Sequence, residues 1–427
     1  MVGISDLPDD ILDIILGHIL EKSTSFPSIL PCCEPERAEW VQRISTHMRQ
    51  VAGLSLRLVC RRLSRWLWER HMFQMLVFEN SFQVNAFLAR LDRARESSLP
   101  IPMCRYLKIS NLWTWGKFPP SLNQTVFANL DALLERFSES IVTLDIGVVN
   151  FFTLPKATIE RIGQMRDLRA LKLRITGRKG TSSRRMAVKP VPDNLPNDSD
   201  CLISVLNGTR GLITSLDFAE FRPVCPPTIS TPNLGSAIHQ LTEMTTLMLD
   251  HKMTGDNLNE IVSLSRNLPN LKTLSIGGVG YEGERVRPLF ESLRGQLQEI
   301  IVNDARVILP IIDCSFPKLR LFRVHDWDKA ACSCLLRGNM FCSAPLQVLA
   351  LHSFPFHKTR RALLNIPFDR LPHLERIEFH YFSTRYFPPN DYEDACRNHG
   401  VKWEHIYHDN TKNGLHSFFQ IMNTAKF

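Results

Sequence analysis

At 427 residues, 44% of them apolar, the chain has enough hydrophobic side chains to bury a large core. That excludes disorder throughout and suggests roughly two or three globular domains or one long repeat array. Lysine and arginine number 51 against 43 aspartates and glutamates, a net charge of +8, but the basic residues are dispersed and form no single stripe interleaved with aromatics, which argues against a nucleic-acid partner.

Eleven cysteines, odd in number and irregularly spaced, read as thiols of a reducing compartment. The N-terminus MVGISDLPDD has no basic stretch ahead of an apolar one, and no run of about 18 apolar residues is present to span a bilayer. The expectation is a soluble protein of the cytoplasm or nucleus, without a membrane partner.

The first predicted helix opens in SDLPDDILDIILGHIL, residues 5–20. Pro8 suits a first helical turn, where its missing N–H costs nothing, and Asp9 and Asp10 favour the positive end of the helix dipole. Ile11, Leu12, Ile15, Leu16, Ile19 and Leu20 then recur at helical spacing as one wide apolar stripe. Within residues 21–53, SFPSILPCCEPE reads as a loop and RAEWVQRISTHMRQV as a further helix.

A second amphipathic stretch, SLRLVCRRLSRWLWERHMFQMLVF at residues 55–78, gathers Leu56, Val59, Cys60, Leu63, Trp66 and Leu67 on one side. Arg57, Arg61, Arg62 and Arg65 can keep their guanidinium groups in water. Two short helices cannot cover two such stripes between themselves, and burying each large side chain is worth about 1.5–3 kcal/mol. Either a partner or the downstream chain is expected to cover the remainder.

LPDDILDIILGHIL followed by LSLRLVCRRLSRWLWERHMFQMLVF resembles the F-box of fungal F-box proteins. The resemblance implies an all-α module over residues 1–72 that docks on a Skp-type adaptor of a cullin-RING ubiquitin ligase. The adaptor contacts it implies are Leu7, Pro8, Ile11, Leu12, Ile15, Leu58, Val59, Cys60 and Leu63. Two departures stand out: the insertion 21–53 where the family has a short connection, and one extra residue before Phe73.

From residue 73 onward, apolar triplets spaced L-x-x-L-x-L recur. They are Leu168/Leu171/Leu173, Ile213/Leu216/Phe218, Met244/Leu247/Leu249, Leu271/Leu274/Ile276, Leu297/Ile300/Val302, Leu319/Phe322/Val324, Leu346/Leu349/Leu351 and Leu374/Ile377/Phe379. Looser copies stand at Phe73/Leu76/Phe78, Cys104/Leu107/Ile109 and Ile141/Leu144/Ile146. Any one triplet arises by chance about one time in twelve at this composition, so the regularity carries the inference. From Leu247 the central residue returns every 22 to 28 residues, within the window for leucine-rich repeats.

Pro269, Pro317, Pro345 and Pro372 punctuate the entrances, where proline ends a helix without removing a ladder hydrogen bond. Helix-like stretches such as EGERVRPLFESLRGQL lie between, and stacked units bury what one unit cannot. The sequence resembles the degenerate leucine-rich repeats that follow fungal F-boxes, departing from them where Val279, Trp327, Phe354 and Phe382 replace the usual Asn or Cys. The expected fold is α/β: a small helical module, then a solenoid over residues 73–408 with a curved parallel sheet and outer helices, closed by a cap or tail at 409–427. Polar residues 176–200 interrupt the rhythm and read as a mobile loop with two basic pairs.

No cofactor is expected. Gly278, Gly280 and Gly283 spell G-x-G-x-x-G with Asp304 at a ribose-binding distance, but Glu282 and Glu284 oppose a pyrophosphate and Pro288 is expected to disrupt the helix the motif needs. Cys314, Cys332, Cys334 and Cys342 lack a tetrahedral zinc spacing, and no hydrolase, metalloprotease or P-loop motif occurs. The chain is therefore expected to be non-catalytic. Strand alternation places Arg323 and His325, then Ala350 and His352, then Glu378 and His380, on the face opposite the triplets. With Arg376, these charged residues and histidines are the candidate contacts to an unidentified protein substrate; solvation of a strand face is the plainer alternative.

Overall fold

The computed structural model describes residues 8, 11–12, 61–114, 124–149, 152–176, 198–219, 221, 234–250, 259–261, 263, 268–277, 283–326, 335–352, 366–380 and 390–406. They form an α/β structure around a parallel sheet of twelve strands whose order in the sheet is their order in the chain. Two compact units divide the chain: residues 1–278 with 284–296, and residues 279–283 with 297–427. Among the described residues no helix is long and apolar enough to cross a membrane.

The first unit contains α1 (Arg61–Arg70), β1 (Met75–Phe78), α2 (Ser81–Glu96), β2 (Tyr106–Trp113), α3 (Phe127–Phe137), β3 (Thr143–Val149) and α4 (Lys156–Gly163). It continues with β4 (Ala170–Thr176), α5 (Asp198–Gly208), β5 (Ser215–Asp217), α6 (Leu234–His239), β6 (Thr246–Asp250) and β7 (Thr273–Gly277). Helix α7 (Gly283–Leu293) falls almost wholly within it. The second unit holds β8 (Glu299–Asp304), a 3-10 turn at Ala305–Ile311, β9 (Leu321–Asp326), α8 (Asn339–Cys342) and β10 (Val348–His352). A 3-10 turn at Phe368–Arg370, β11 (Arg376–His380), α9 (Asn390–Asn398) and β12 (Lys402–Ile406) complete it.

Every apolar triplet read from the sequence is buried, from Phe73/Leu76/Phe78 to Leu374/Ile377/Phe379. Their central residues stack in register. Leu76, Leu107, Leu144, Leu171, Leu216, Leu247 and Leu274 form one column in the first unit, and Ile300, Phe322, Leu349 and Ile377 form one in the second, continued by the half-buried Trp403 of β12. The 45-residue interval between Leu171 and Leu216 leaves the stack unbroken, because those two residues are direct partners across β4 and β5.

Helices pack on the apolar side. Phe87 of α2 meets Phe73 and Phe78, with ring centroids 5.5 and 5.4 Å apart, and Phe341 of α8 meets Phe322 at 4.9 Å. The Asn80 side chain caps α2 by accepting from the Gln83 N–H at 3.0 Å, satisfying one of the donors a helix start leaves open. Gly163 and Gly208 let α4 and α5 approach: a Cβ at Gly163 would lie 3.0 Å from the Gly208 carbonyl oxygen. Three of the four proline-led entrances are hydrogen-bonded turns, with Leu271 N–H on Leu268 O, Leu319 on Phe316 and Leu374 on Leu371, and proline fits the second position of such a turn.

One expectation needs correction. Helix α7 runs through Pro288 without ending. Gly283 serves close approach, since a Cβ there would sit 2.8 Å from the Val307 carbonyl oxygen, and it does not take the left-handed conformation. Gly278 and Gly280, the insertion 21–53 and the tail 409–427 lie outside the described residues, as does loop 176–200 except for the end of β4 and the start of α5. Helix α9 and strand β12 are the last elements among the described residues.

Candidate functional site

The side chains between the second and third apolar residues of each triplet project from the opposite face of the sheet. In the first unit these are Lys108 on β2, Asp145 on β3, Lys172 on β4 and Asp217 on β5, paired in register across four strands. Neighbouring strands lie about 4.8 Å apart, so opposite charges alternate at near-contact spacing.

Asp145 is the centre of this row. Its side chain is fully buried; the Tyr106 hydroxyl and Arg174 Nη2 each donate to Oδ2 at 3.0 Å, and Lys108 Nζ lies 3.6 Å away. Lys108 and Arg174 retain 18% and 19% side-chain exposure, so their outer surfaces remain in reach of a partner while Asp145 does not. Burial pushes the Asp217 carboxyl above its ordinary value; Lys172, the Ala219 N–H and Arg174 pull it back, and Asp145 pushes it further up. The Ala219 N–H donates to Asp217 Oδ1 at 2.9 Å. A protonated Asp217 would leave three cations facing one carboxylate.

In the second unit the equivalent row is Ile301, Arg323, Ala350, Glu378 and Glu404 on β8 to β12. Arg323 and Glu378 were expected to project into solvent and are instead fully buried, so neither offers its side chain at the surface. Glu378 accepts from Arg376 at 2.9 Å, while Arg376 and His325 are half-buried. His352 and His380 are direct register partners on β10 and β11, and their side chains lie outside the description.

Of the adaptor contacts implied by resemblance, Pro8 is exposed, Ile11 half-buried and Leu12 buried, at 3% exposure. Leu12 N–H bonds to Pro8 O at 3.1 Å, a helical turn of the kind expected there. Leu7, Ile15, Leu58, Val59 and Cys60 lie outside the described residues; Leu63 is within α1, with its side chain undescribed. Helix α1 is fixed by Trp66, Leu67 and Trp68, all buried. Trp68 Nε1 donates to Pro100 O at 2.9 Å, and the Met103 N–H to Glu69 O at 2.7 Å. Beside this anchor Ile101 is exposed, lining a cleft with Trp68, Leu91, Leu99, Pro100 and Pro102.

The row Lys108, Asp145, Lys172 and Asp217 is not among the candidate residues read from the sequence. Its signal was present: a charge of alternating sign between the last two apolar residues of four successive triplets, in Leu-Lys-Ile, Leu-Asp-Ile, Leu-Lys-Leu and Leu-Asp-Phe. Among the described residues no cluster of three or more histidines, cysteines or carboxylates is placed to hold a metal ion. No protein-family model matches the chain, and no curated protein matches it.

Proposed function

We propose that the chain is the substrate-recognition subunit of an SCF-type cullin-RING ubiquitin ligase. In this reading residues 1–72 are an F-box-like module that binds a Skp-type adaptor, and the strands from β1 onward are leucine-rich repeats whose sheet face binds the target protein. The chain supplies no catalytic residue; holding the target near the ubiquitin carrier raises its effective concentration. The observation that supports the reading best is the stacking itself: apolar triplets buried in register, seven in the first unit and four in the second, beginning directly after the F-box-like segment. Pro8 exposed and Ile11 half-buried agree with an adaptor-facing surface.

A second reading has its own observation. Trp66, Leu67 and Trp68 are buried and α1 is tied to residues 100–103 of its own chain, as in an interaction scaffold whose N-terminal helices pack on the first repeat. Co-purification with a Skp-type adaptor separates the two. The receptor reading expects capture by the wild type and its loss in Leu7→Ala/Pro8→Ala, with the thermal melting of the variant unchanged. Wild-type protein that is folded and captures no adaptor leaves the scaffold reading.

A further inference from the structure

Cys314 and Cys342 occupy equivalent places in two successive repeats. Cys314-Ser315-Phe316-Pro317 and Cys342-Ser343-Ala344-Pro345 share the pattern Cys-Ser-x-Pro, and each leads into one of two strands, β9 and β10, that pair in parallel. Hydrogen bonds hold the two segments in that register. The Met340 N–H donates to Ile312 O at 2.8 Å, Asn339 Nδ2 donates to Asp313 O at 3.2 Å, and the Ser343 and Ser315 hydroxyls are 3.1 Å apart. Cys314 and Cys342, likewise 28 residues apart, lie between these contacts.

A disulfide requires Cα atoms about 4.4–6.8 Å apart, and contacts on both sides of the cysteines, Met340 with Ile312 before them and Ser343 with Ser315 after them, hold the two segments together on that scale. Both thiols are free and part-exposed, whereas Cys104, Cys201 and Cys396 are buried. The Cys342 thiol is near the Arg337 carbonyl oxygen at 3.5 Å, a weak contact that rotation about χ1 releases. Of the four cysteines that the sequence groups between residues 314 and 342, Cys314 and Cys342 are the two among the described residues; Cys332 and Cys334 lie outside them.

We propose that Cys314 and Cys342 form a modification site, closed into a reversible disulfide by a small disulfide oxidant of the glutathione class. One thiolate attacks a sulfur of the oxidant, forming a mixed disulfide and expelling one glutathione thiolate. The second thiolate attacks the protein sulfur of that mixed disulfide and expels the other glutathione. Two protein thiols and one glutathione disulfide thus become one protein disulfide and two glutathione thiols, with two electrons passing to the oxidant. The link ties the repeat ending at β9 to the repeat ending at β10.

The test treats the folded full chain with glutathione disulfide, alkylates the remaining thiols and maps a non-reducing digest by mass spectrometry. The expected product is a peptide pair joined through Cys314 and Cys342. It is released by dithiothreitol, is absent from Cys314→Ser and from Cys342→Ser, and is retained in Cys332→Ser/Cys334→Ser. Folding is followed by circular dichroism of the wild type before and after treatment. The proposal is overturned when the folded wild type shows both cysteines separately alkylated, each capped by glutathione, or joined to any other cysteine.

Discussion

The two units neutralise buried charge on their sheet faces in different ways. In the first, cations and carboxylates alternate from strand to strand, so Asp145 on β3 draws on Lys108 of β2 and Arg174 of β4. In the second, Ala350 separates Arg323 from Glu378 in the register row, and Glu378 pairs with Arg376 two residues earlier on its own strand. The first pattern depends on how neighbouring repeats are registered; the second places a counter-charge within one strand. An alternating row penalises misregistration, because like charges set directly opposite one another are destabilising.

The sharpest way to break this contrast is Asp145→Ala. It strips the shared acceptor from Tyr106, Lys108 and Arg174 at once and leaves cations at a largely buried position. Breaking one partner of a fully buried pair costs about 3–5 kcal/mol. Discounted for the partial exposure of Lys108 and Arg174, a loss of about 3 kcal/mol is expected, read as a lower urea midpoint with unchanged slope. Glu378→Ala removes the acceptor of Arg376 and is expected to cost about 2 kcal/mol by the same measurement, in line with a hydrogen bond to a charged group. A double-mutant cycle distinguishes the patterns further. Asp145→Ala should couple to Arg174→Ala across strands, and Glu378→Ala to Arg376→Ala along one strand. Additive effects at both pairs would sink the contrast.

The core was legible in the sequence and the charge rows were not, for a physical reason. Burial of Leu144 or Ile377 depends on a local pattern that repeats within six residues, and strand alternation then fixes which way each side chain points. Which charge meets which depends on partners a whole repeat away, across intervals as uneven as the 45 residues from Leu171 to Leu216 and the 22 from Ile300 to Phe322. Alternation placed Arg323 and Glu378 on the correct face, but a face is not an exposure, and both are buried. The same gap applies to the cysteines. Their spacing along the chain argued against zinc, while the equivalence of Cys314 and Cys342 became clear only when Ser315 and Ser343 were seen to meet.

Asp217 gives the smallest expected effect and the one with a definite pH signature. Burial raises its carboxyl above the ordinary value, with Asp145 adding to the rise and Lys172, Arg174 and the Ala219 N–H opposing it. As pH climbs from the ordinary carboxylate range towards the raised value, the unfolded chain releases this proton while the folded chain keeps it. The folded state then binds more protons, so stability falls with rising pH across that window and levels off above the raised value. Asp217→Asn keeps an acceptor for the Ala219 N–H and removes the titration, so its stability should lack this downward slope. Urea midpoints of both proteins from acid to neutral pH measure it. Parallel curves would show that Lys172 and Arg174 hold Asp217 ionised, and the row would then be closer to neutral, with three cations facing two carboxylates.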